Sequence, residues 1–256
     1  MARSRALDRM ARLGMVCRGG LYALIGVLGL QIAVGAGRRE ADEAGAITAI
    51  AGQPFGVGVL AVMLAGFAAL LLWQLTEAVA GSGELAERLE AAVRAVFYCF
   101  LVMILGNLLF TGEGPGSGDR HSKDLTAAAL HLPGGRILVG IVGLGVVSLG
   151  LYWVYRGVSR RFFEDLHRFT LSPQAQRLVA VVGITGHLAR GLVAGLAGVF
   201  VIEAAVRYTP EHAKGVDATL RAFADTRFGS WLLVAVAAGL MCFAAYCVCE
   251  ARWRRV

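Results

Sequence analysis

Apolar residues are gathered into six long runs that are separated by polar or charged connections. The runs are Leu13–Val34, Phe55–Thr76, Ala91–Phe110, Ile137–Tyr155, Leu178–Ile202 and Trp231–Cys249. Each run is near the ~20 residues that an α-helix needs to cross about 30 Å of hydrocarbon. The pattern therefore predicts an all-α, polytopic membrane protein with six transmembrane helices and almost no soluble portion.

The six runs divide into three copies of a two-helix unit. In each copy an arginine lies within the first run and a glycine opens the second, and an aromatic residue and then a charged residue follow that glycine at fixed offsets. In chain order these positions are Arg18, Arg94 and Arg190; Gly56, Gly135 and Gly229; Trp73, Tyr152 and Tyr246; and Glu77, Arg156 and Glu250. Such coincidences predict tandem repeats over residues 1–81, 82–171 and 172–256. Two-span copies share one orientation, so we expect a pseudo-threefold axis along the membrane normal.

The first copy carries the most distinctive residues. Its stretches ARLGMVCRGGLYALIGVLGLQIAVG, GAITAIAGQPFG and LLLWQLTEAVAG have weaker echoes in the later copies. This pattern resembles the bacterial six-helix membrane family that is catalogued as domain of unknown function 1206, over essentially the whole chain. The resemblance implies a fold and a membrane location but no activity. The second copy departs most from the pattern, with Ala95 in place of glycine and Arg156 in place of the acid.

Composition and charge agree with a bilayer location. Hydrophobic residues make up 57% of the chain, charged residues make up 17%, and the mean hydropathy is +0.65. With a cytoplasmic N-terminus, the inner segments hold twelve Lys and Arg residues and the outer loops hold nine. This bias predicts a multi-pass protein of the bacterial inner (plasma) membrane with both termini cytoplasmic. The net charge of +7 is then attributed to basic segments that set the orientation and contact anionic lipid head groups, and not to nucleic-acid binding.

Several connections carry local signals. Ser172 and Pro173 predict an N-cap and first helical residue ahead of the fifth run. Three semi-apolar stretches predict short helices on the outer side: Ala44–Ala51, Leu125–Leu132 and Ala218–Ala224. The glycine-rich segment 111–119 is interpreted as a flexible linker, and the aromatic and basic segment 160–169 as interfacial.

Charged residues within the spans are the best functional lead, because a charge in hydrocarbon is costly and needs a partner or a wet cavity. Each first-run arginine lies near the cytoplasmic end of its span, and Glu77 and Glu250 lie at the same end of the second and sixth spans. We therefore expect pairs within hairpins, Arg18 with Glu77 and Arg190 with Glu250. In the middle copy both corresponding positions are basic, Arg94 and Arg156.

Two interpretations of these arginines stay open. In the first, they reach lipid head groups, pair with Glu77 and Glu250, and anchor the hairpins. In the second, Arg18, Arg94, Arg156 and Arg190 hold an anion or a lipid phosphate in a central crevice, because the guanidinium fork suits oxyanions. A polar cavity that reaches Arg94 and Arg156 would favour the second interpretation.

Other chemistry has little support in the sequence. His187, one turn before Arg190, is interpreted as a packing residue, with a proton relay as the alternative. We find no nucleophile motif and no set of metal or haem ligands, so we expect no enzyme activity, cofactor or metal. The favoured function is a non-enzymatic membrane or lipid-associated accessory protein. The alternative is a small transporter or channel for an anionic solute. The expected partner is the bilayer with its anionic lipids; a homo-oligomer or another membrane protein stays open.

Overall fold

The computed structural model describes residues 5–35, 41–80, 85–112, 118–166, 172–209, 212, 214–224 and 229–253. Within these residues the protein is all-helical. Six helices are long: α1 (Arg5–Ala33), α3 (Gly56–Ala80), α4 (Leu85–Thr111), α6 (Gly135–Val158), α7 (Pro173–Arg207) and α9 (Gly229–Trp253). Three are short: α2 (Glu43–Ala51), α5 (Gly118–Leu130) and α8 (Val216–Ala224).

The six long helices coincide with the six predicted spans, and each is long and apolar enough to cross a membrane. All six extend beyond the apolar runs. The longest, α7, has 35 residues and spans roughly 52 Å at 1.5 Å per residue, well beyond the ~30 Å hydrocarbon core. Its start is the predicted one: Pro173 is the first helical residue, and the Ser172 hydroxyl accepts a hydrogen bond from the Ala175 amide. Sequence pattern and capping chemistry thus agree on this boundary.

The glycines predicted to open the second helix of each pair are the first residues of α3, α6 and α9. Crowding by the preceding short helix explains two of them. A Cβ on Gly56 would lie 2.1 Å from the Ile50 carbonyl oxygen, and one on Gly135 would lie 1.9 Å from the Ala129 carbonyl oxygen. A side chain at either position would force the short helix away from the span that it precedes.

The three short helices match the predicted outer stretches, although α5 is longer than expected. Each connects the two long helices of one pair. Asp42 caps α2 by accepting from the Gly45 amide at 2.7 Å. The buried Asp217 of α8 accepts from the Ala41 amide at 2.8 Å. This bond ties the start of α2 to α8. The predicted linker falls largely on residues 113–117, which lie outside the described residues.

The long helices pack in an order that the sequence did not reveal. Helix α3 packs on α4, α6 on α7, and α9 on α1, while α1 also packs on α3 and α7 on α9. Helices α4 and α6 hardly touch in the described part of the chain. The row therefore runs α4, α3, α1, α9, α7, α6, and its two ends face each other across a gap.

Arginines fasten two of these seams at the helix ends. Arg12 of α1 donates to the carbonyl oxygens of Ala251 and Arg252 at 2.9 and 3.0 Å. Arg88 of α4 donates to those of Ala78 and Val79, both at 3.0 Å. A cation there compensates the unpaired carbonyls and negative dipole end of α9 and of α3.

Glycine allows the closest approach of two long helices, α6 and α7. A Cβ on Gly150 would lie 2.6 Å from the Gly195 nitrogen and 2.7 Å from the Gly191 carbonyl oxygen. Gly191 and Gly195, four residues apart on α7, therefore meet a glycine of the facing helix. Small residues give membrane helices the backbone contact that lipid does not otherwise favour.

Gly150→Ala is expected to destabilise the protein by about 1–3 kcal/mol, because a methyl group between two backbones cannot be accommodated without moving them. Gly145→Ala, one to two turns earlier on the same helix, is the matched control, because a Cβ there meets nothing within 4 Å. The midpoint of thermal unfolding in detergent measures both. Equal midpoints for the two variants would contradict the close approach of α6 and α7.

Candidate functional site

Two adjoining cavities lie within the bundle. The larger has a volume of about 240 Å³, and the smaller, about 30 Å³, is the size of one water molecule. Arg18, Arg94, Trp153 and Arg190 line both cavities. Arg156 lines the smaller one with Glu250 and Asp165. The structure thus brings all four predicted arginines together, from the four different helices α1, α4, α6 and α7.

Arg18 is buried, at 8% exposure, and forms an ion pair with Glu250 of α9. Its Nη1 also donates to the Tyr98 hydroxyl of α4 at 2.9 Å. Both predicted pairs within hairpins are therefore wrong: Arg18 pairs with Glu250 and not with Glu77, and Glu250 does not pair with Arg190. The reason is packing: α9 lies against α1, so the Glu250 carboxylate meets the arginine of the first hairpin.

Glu77, the other predicted charge partner, is half-buried near the end of α3 and lines neither cavity. Arg94 is also half-buried and lines both. The two predicted charge partners therefore lie in different places: Glu250 belongs to the arginine cluster, and Glu77 lies outside both cavities.

Arg156 forms an ion pair with Asp165, which corrects the expectation that the middle copy lacks an acid for it. Asp165 lies beyond a short 3₁₀ turn (Arg161–Phe163) that folds back toward the bundle. The turn was predicted to be interfacial, yet Phe162 and Phe163 are buried in the core. Asp165, nine residues after Arg156, is the residue in the sequence from which this ion pair could have been predicted. Its carboxylate reaches Arg156 because the 3₁₀ turn folds inward, and the sequence pattern does not show that fold.

Arg190 has a different environment from Arg18 and Arg156. Its Cζ lies 3.5 Å from the ring centroid of Trp153, 5.0 Å from that of Phe243 and 5.7 Å from that of Tyr22. Its Nε is buried without a hydrogen-bond partner, as is that of Arg18. Unlike Arg18 and Arg156, however, Arg190 has no carboxylate of the described residues within ion-pair distance. Cation–π attraction lowers the cost of this guanidinium without neutralising its charge.

His187 fits the packing interpretation. Its Nδ1 lies 2.8 Å from the Gly183 carbonyl oxygen, an acceptor, so Nδ1 is the protonated nitrogen of this contact. The ring stacks on Phe162 at 5.3 Å and meets Tyr246 edge-on at 5.0 Å. The sequence prediction of a packing residue holds for these contacts, and the ring also lines the smaller cavity.

The rest of the larger cavity is mostly apolar. Val93 and Phe97 of α4 face it from one side, and Val146 and Leu149 of α6 face it from the other. Glu43, at the start of α2, lines it as well. Desolvation raises the pKa of the Glu43 carboxyl, an effect opposed by its own backbone hydrogen bond and by the charge of Arg190. The cavity thus joins a cationic cluster to an apolar chamber.

The described residues form no cluster of metal ligands. Within the described ranges, no three His, Cys, Asp or Glu side chains cluster as metal ligands would. The five cysteines are free thiols. The arrangement is suited to holding an anion by charge and hydrogen bonding.

Comparisons with known proteins bear on the family. The sequence profile of Domain of Unknown Function (DUF1206) matches residues 13–81, 89–160 and 185–254. An uncharacterized protein of Bacillus subtilis (strain 168), YxxB, is 26% identical over 246 residues, which cover 94% of this chain and 89% of the relative. No solved structure matches the chain. Because the three matches together cover most of the sequence, this protein belongs to the DUF1206 family.

Proposed function

We propose that this protein is a non-enzymatic, lipid-associated membrane protein that holds the anionic head group of a membrane amphiphile among Arg18, Arg94, Arg156 and Arg190. The observation that carries the proposal is Arg190, whose guanidinium faces both cavities and, among the described residues, has aromatic neighbours but no ion-pair partner. Arg190 is half-buried, and a partly desolvated cation is costly unless an anion compensates it. The cavity beside Arg190 provides the space for that anion.

The apolar wall of the larger cavity supports an amphiphile over a small inorganic ion. Val93, Phe97, Val146 and Leu149 offer hydrocarbon contacts and no hydrogen bonds from their side chains. A ligand with both a charged and an apolar part satisfies the arginines and this wall together. Accordingly, the expected partners are anionic lipids of the bilayer.

We also infer that three tandem repeats surround a pseudo-threefold axis. The family profile matches three times, and α3, α6 and α9 begin at the three predicted glycines. Arg12 and Arg88 supply independent support. Arg12 lies six residues before Arg18, and Arg88 lies six residues before Arg94. Arg12 donates to the carbonyls of the two residues that follow Glu250, and Arg88 donates to those of the two residues that follow Glu77.

This symmetry identifies where the positive charge is in excess. The ion pair of Arg18 and Glu250 joins the first helix of one copy to the second helix of its neighbour. The symmetry-related combinations are Arg94 with Glu77 and Arg190 with Arg156. The last combination is two cations, and Asp165 is paired with Arg156. The excess charge is therefore expected at Arg190, where the proposed head group would bind.

The proposed orientation has both termini in the cytoplasm and the protein in the inner membrane. It rests on the basic N-terminus, the basic connection after α6 and the basic C-terminus. The arginine cluster then lies toward the cytoplasm, and α2, α5 and α8 lie on the outer side. The anionic cytoplasmic leaflet would supply the ligand directly.

The alternative is a small transporter or channel for an anionic solute that uses the same arginines. One observation favours it: the larger cavity is lined from Arg18 to Glu43, and so extends from the charged cluster toward an outer helix. Transport would require movement of α2 and α8, since Glu43 and Val216 line the cavity there. Anion flux into proteoliposomes distinguishes the alternative from lipid binding alone.

Arg190→Gln is expected to reduce retention of an anionic amphiphile about tenfold, because a charge-assisted hydrogen bond is lost. Native mass spectrometry after incubation with oleate, phosphatidic acid, phosphatidylglycerol or neutral phosphatidylcholine measures the retention. The wild type should retain at least one anionic species in preference to phosphatidylcholine. Arg207→Gln is the matched control, because that arginine is on the same helix but exposed and paired with Glu203.

Two results would contradict this function. One is equal retention of anionic and neutral amphiphiles by the wild type. The other is an equal loss for Arg190→Gln and Arg207→Gln, which would show only a general effect of positive charge on the protein. Circular dichroism and the unfolding midpoint of each variant check that the fold is kept.

Orientation is tested with single cysteines in a background whose five native cysteines are replaced. Asp124→Cys on α5 should react with a membrane-impermeant maleimide from outside intact cells. Arg161→Cys, in the connection after α6, should react only after permeabilisation. The reverse pattern would place both termini outside, and labelling of both positions in intact cells would contradict the six-span topology.

A further inference from the structure

The gap between α4 and α6 coincides with the larger cavity. These two helices hardly touch in the described part of the chain, whereas the other neighbouring pairs pack closely. Residues on both sides of the gap line the cavity, including Phe97 from α4 and Leu149 from α6. With the six long helices across the bilayer, as in the proposed topology, a gap between the two end helices of the row would open this cavity sideways toward the hydrocarbon region.

The size of the cavity limits what part of an amphiphile fits inside. An apolar cavity of ~150 Å³ accommodates benzene, so about 240 Å³ accommodates roughly ten carbon atoms. That is part of one hydrocarbon chain and too little for the two chains of a phospholipid. The remainder of a longer chain would leave between α4 and α6 into the bilayer.

The smaller cavity limits the head group. It extends past Arg18, Arg94 and Arg190 to Arg156 and has room for about one water molecule. That volume favours a compact head group over a glycerophosphate group. A carboxylate ends in two oxygens, and a guanidinium can bind both through parallel hydrogen bonds. The small space for the head group and the chamber for part of one hydrocarbon chain both favour a carboxylate with a single chain.

We propose that the ligand is the anion of a long-chain carboxylic acid, which enters sideways between α4 and α6 and places its carboxylate at Arg190. This rests on the proposed function and specifies its ligand and route. The chain lies against Phe97, Val146 and Leu149, and the carboxylate supplies the ion-pair partner that Arg190 does not have among the described residues. Trp153, stacked on Arg190, lies at the junction of the two cavities.

Trp153 provides a direct reporter of this ligand. The chain has four tryptophans, and replacing Trp73, Trp231 and Trp253 by phenylalanine leaves Trp153 alone. The protein is reconstituted in phosphatidylcholine vesicles and titrated with dibromostearate, whose bromines quench a nearby indole. Saturable quenching is expected. The uncharged methyl ester of the same acid should quench only weakly and without saturation.

The route is tested by filling the gap. Val146→Phe with Leu149→Phe places two larger side chains on the cavity face of α6. The half-quenching concentration should rise about tenfold, the affinity equivalent of about two displaced methylene groups. Leu144→Phe with Leu151→Phe is the matched control on the same helix, because both leucines are exposed and line neither cavity. This control should titrate like the parent protein.

The head group is tested by competition. Decanoate should relieve the quenching by dibromostearate, and lysophosphatidylglycerol at the same concentration should not.

A second measurement serves if the single-tryptophan protein does not fold. The two phenylalanine double variants are then made in the otherwise native protein, and native mass spectrometry compares how much oleate each retains.

The outcomes separate this inference from the function on which it rests. Equal titration of the gap-filling and control variants would overturn entry between α4 and α6. Stronger competition by lysophosphatidylglycerol than by decanoate would overturn the carboxylate, while binding of an anionic amphiphile would stand. Retention of no anionic amphiphile by the wild type would overturn both.

Discussion

The buried ion pair between Arg18 and Glu250 is the interaction on which the packing of the long helices depends. A guanidinium at 8% exposure within a span is unfavourable without a compensating charge. Its partner lies on the last helix, so neutralising it requires that α9 lie against α1. The Tyr98 hydroxyl accepts from the same guanidinium and brings α4 into the arrangement. One charged group thereby links three helices that are far apart in the chain.

The tight seam between α6 and α7 explains why Arg190 has an aromatic environment. Gly150 meets Gly191 and Gly195 with their backbones in contact distance. Trp153 follows Gly150 by about one turn, and Arg190 directly precedes Gly191. Close approach of the backbones therefore brings the indole within 3.5 Å of the guanidinium carbon. The packing glycines and the candidate site belong to one structural arrangement.

Most of the fold could be predicted because its determinants are local. Span lengths and the Ser172 cap follow from runs and capping chemistry within a few residues, and the opening glycines Gly56 and Gly135 follow from their repeated positions in the sequence. Arg18, Arg94 and Arg190 could be expected at one level, because they recur at one position of the repeated pattern, and Arg156 could be expected near them because it takes the position of Glu77 and Glu250.

Their partners could not be predicted, because the offsets do not say whether the second helix of a pair packs its charged end on the first helix of its own pair or on that of another pair. Glu250 was assigned to the wrong arginine for this reason. Asp165 was missed because it reaches Arg156 only when residues 161–163 turn inward, and Phe162 and Phe163 read equally well as interfacial residues. The weak contact between α4 and α6 likewise depends on long-range packing.

The distance along the chain between Arg18 and Glu250 has a consequence for biosynthesis. The two residues are 232 positions apart, so at ~5–20 residues per second the carboxylate is synthesised roughly 12–46 seconds after the arginine. During that interval the first span is in the membrane without its partner. Arg18 lies within reach of the charged head groups if the N-terminus is cytoplasmic, and the span can remain shallow until α9 arrives. Until the last helix is made, the charge of Arg18 therefore has to be compensated by groups other than Glu250.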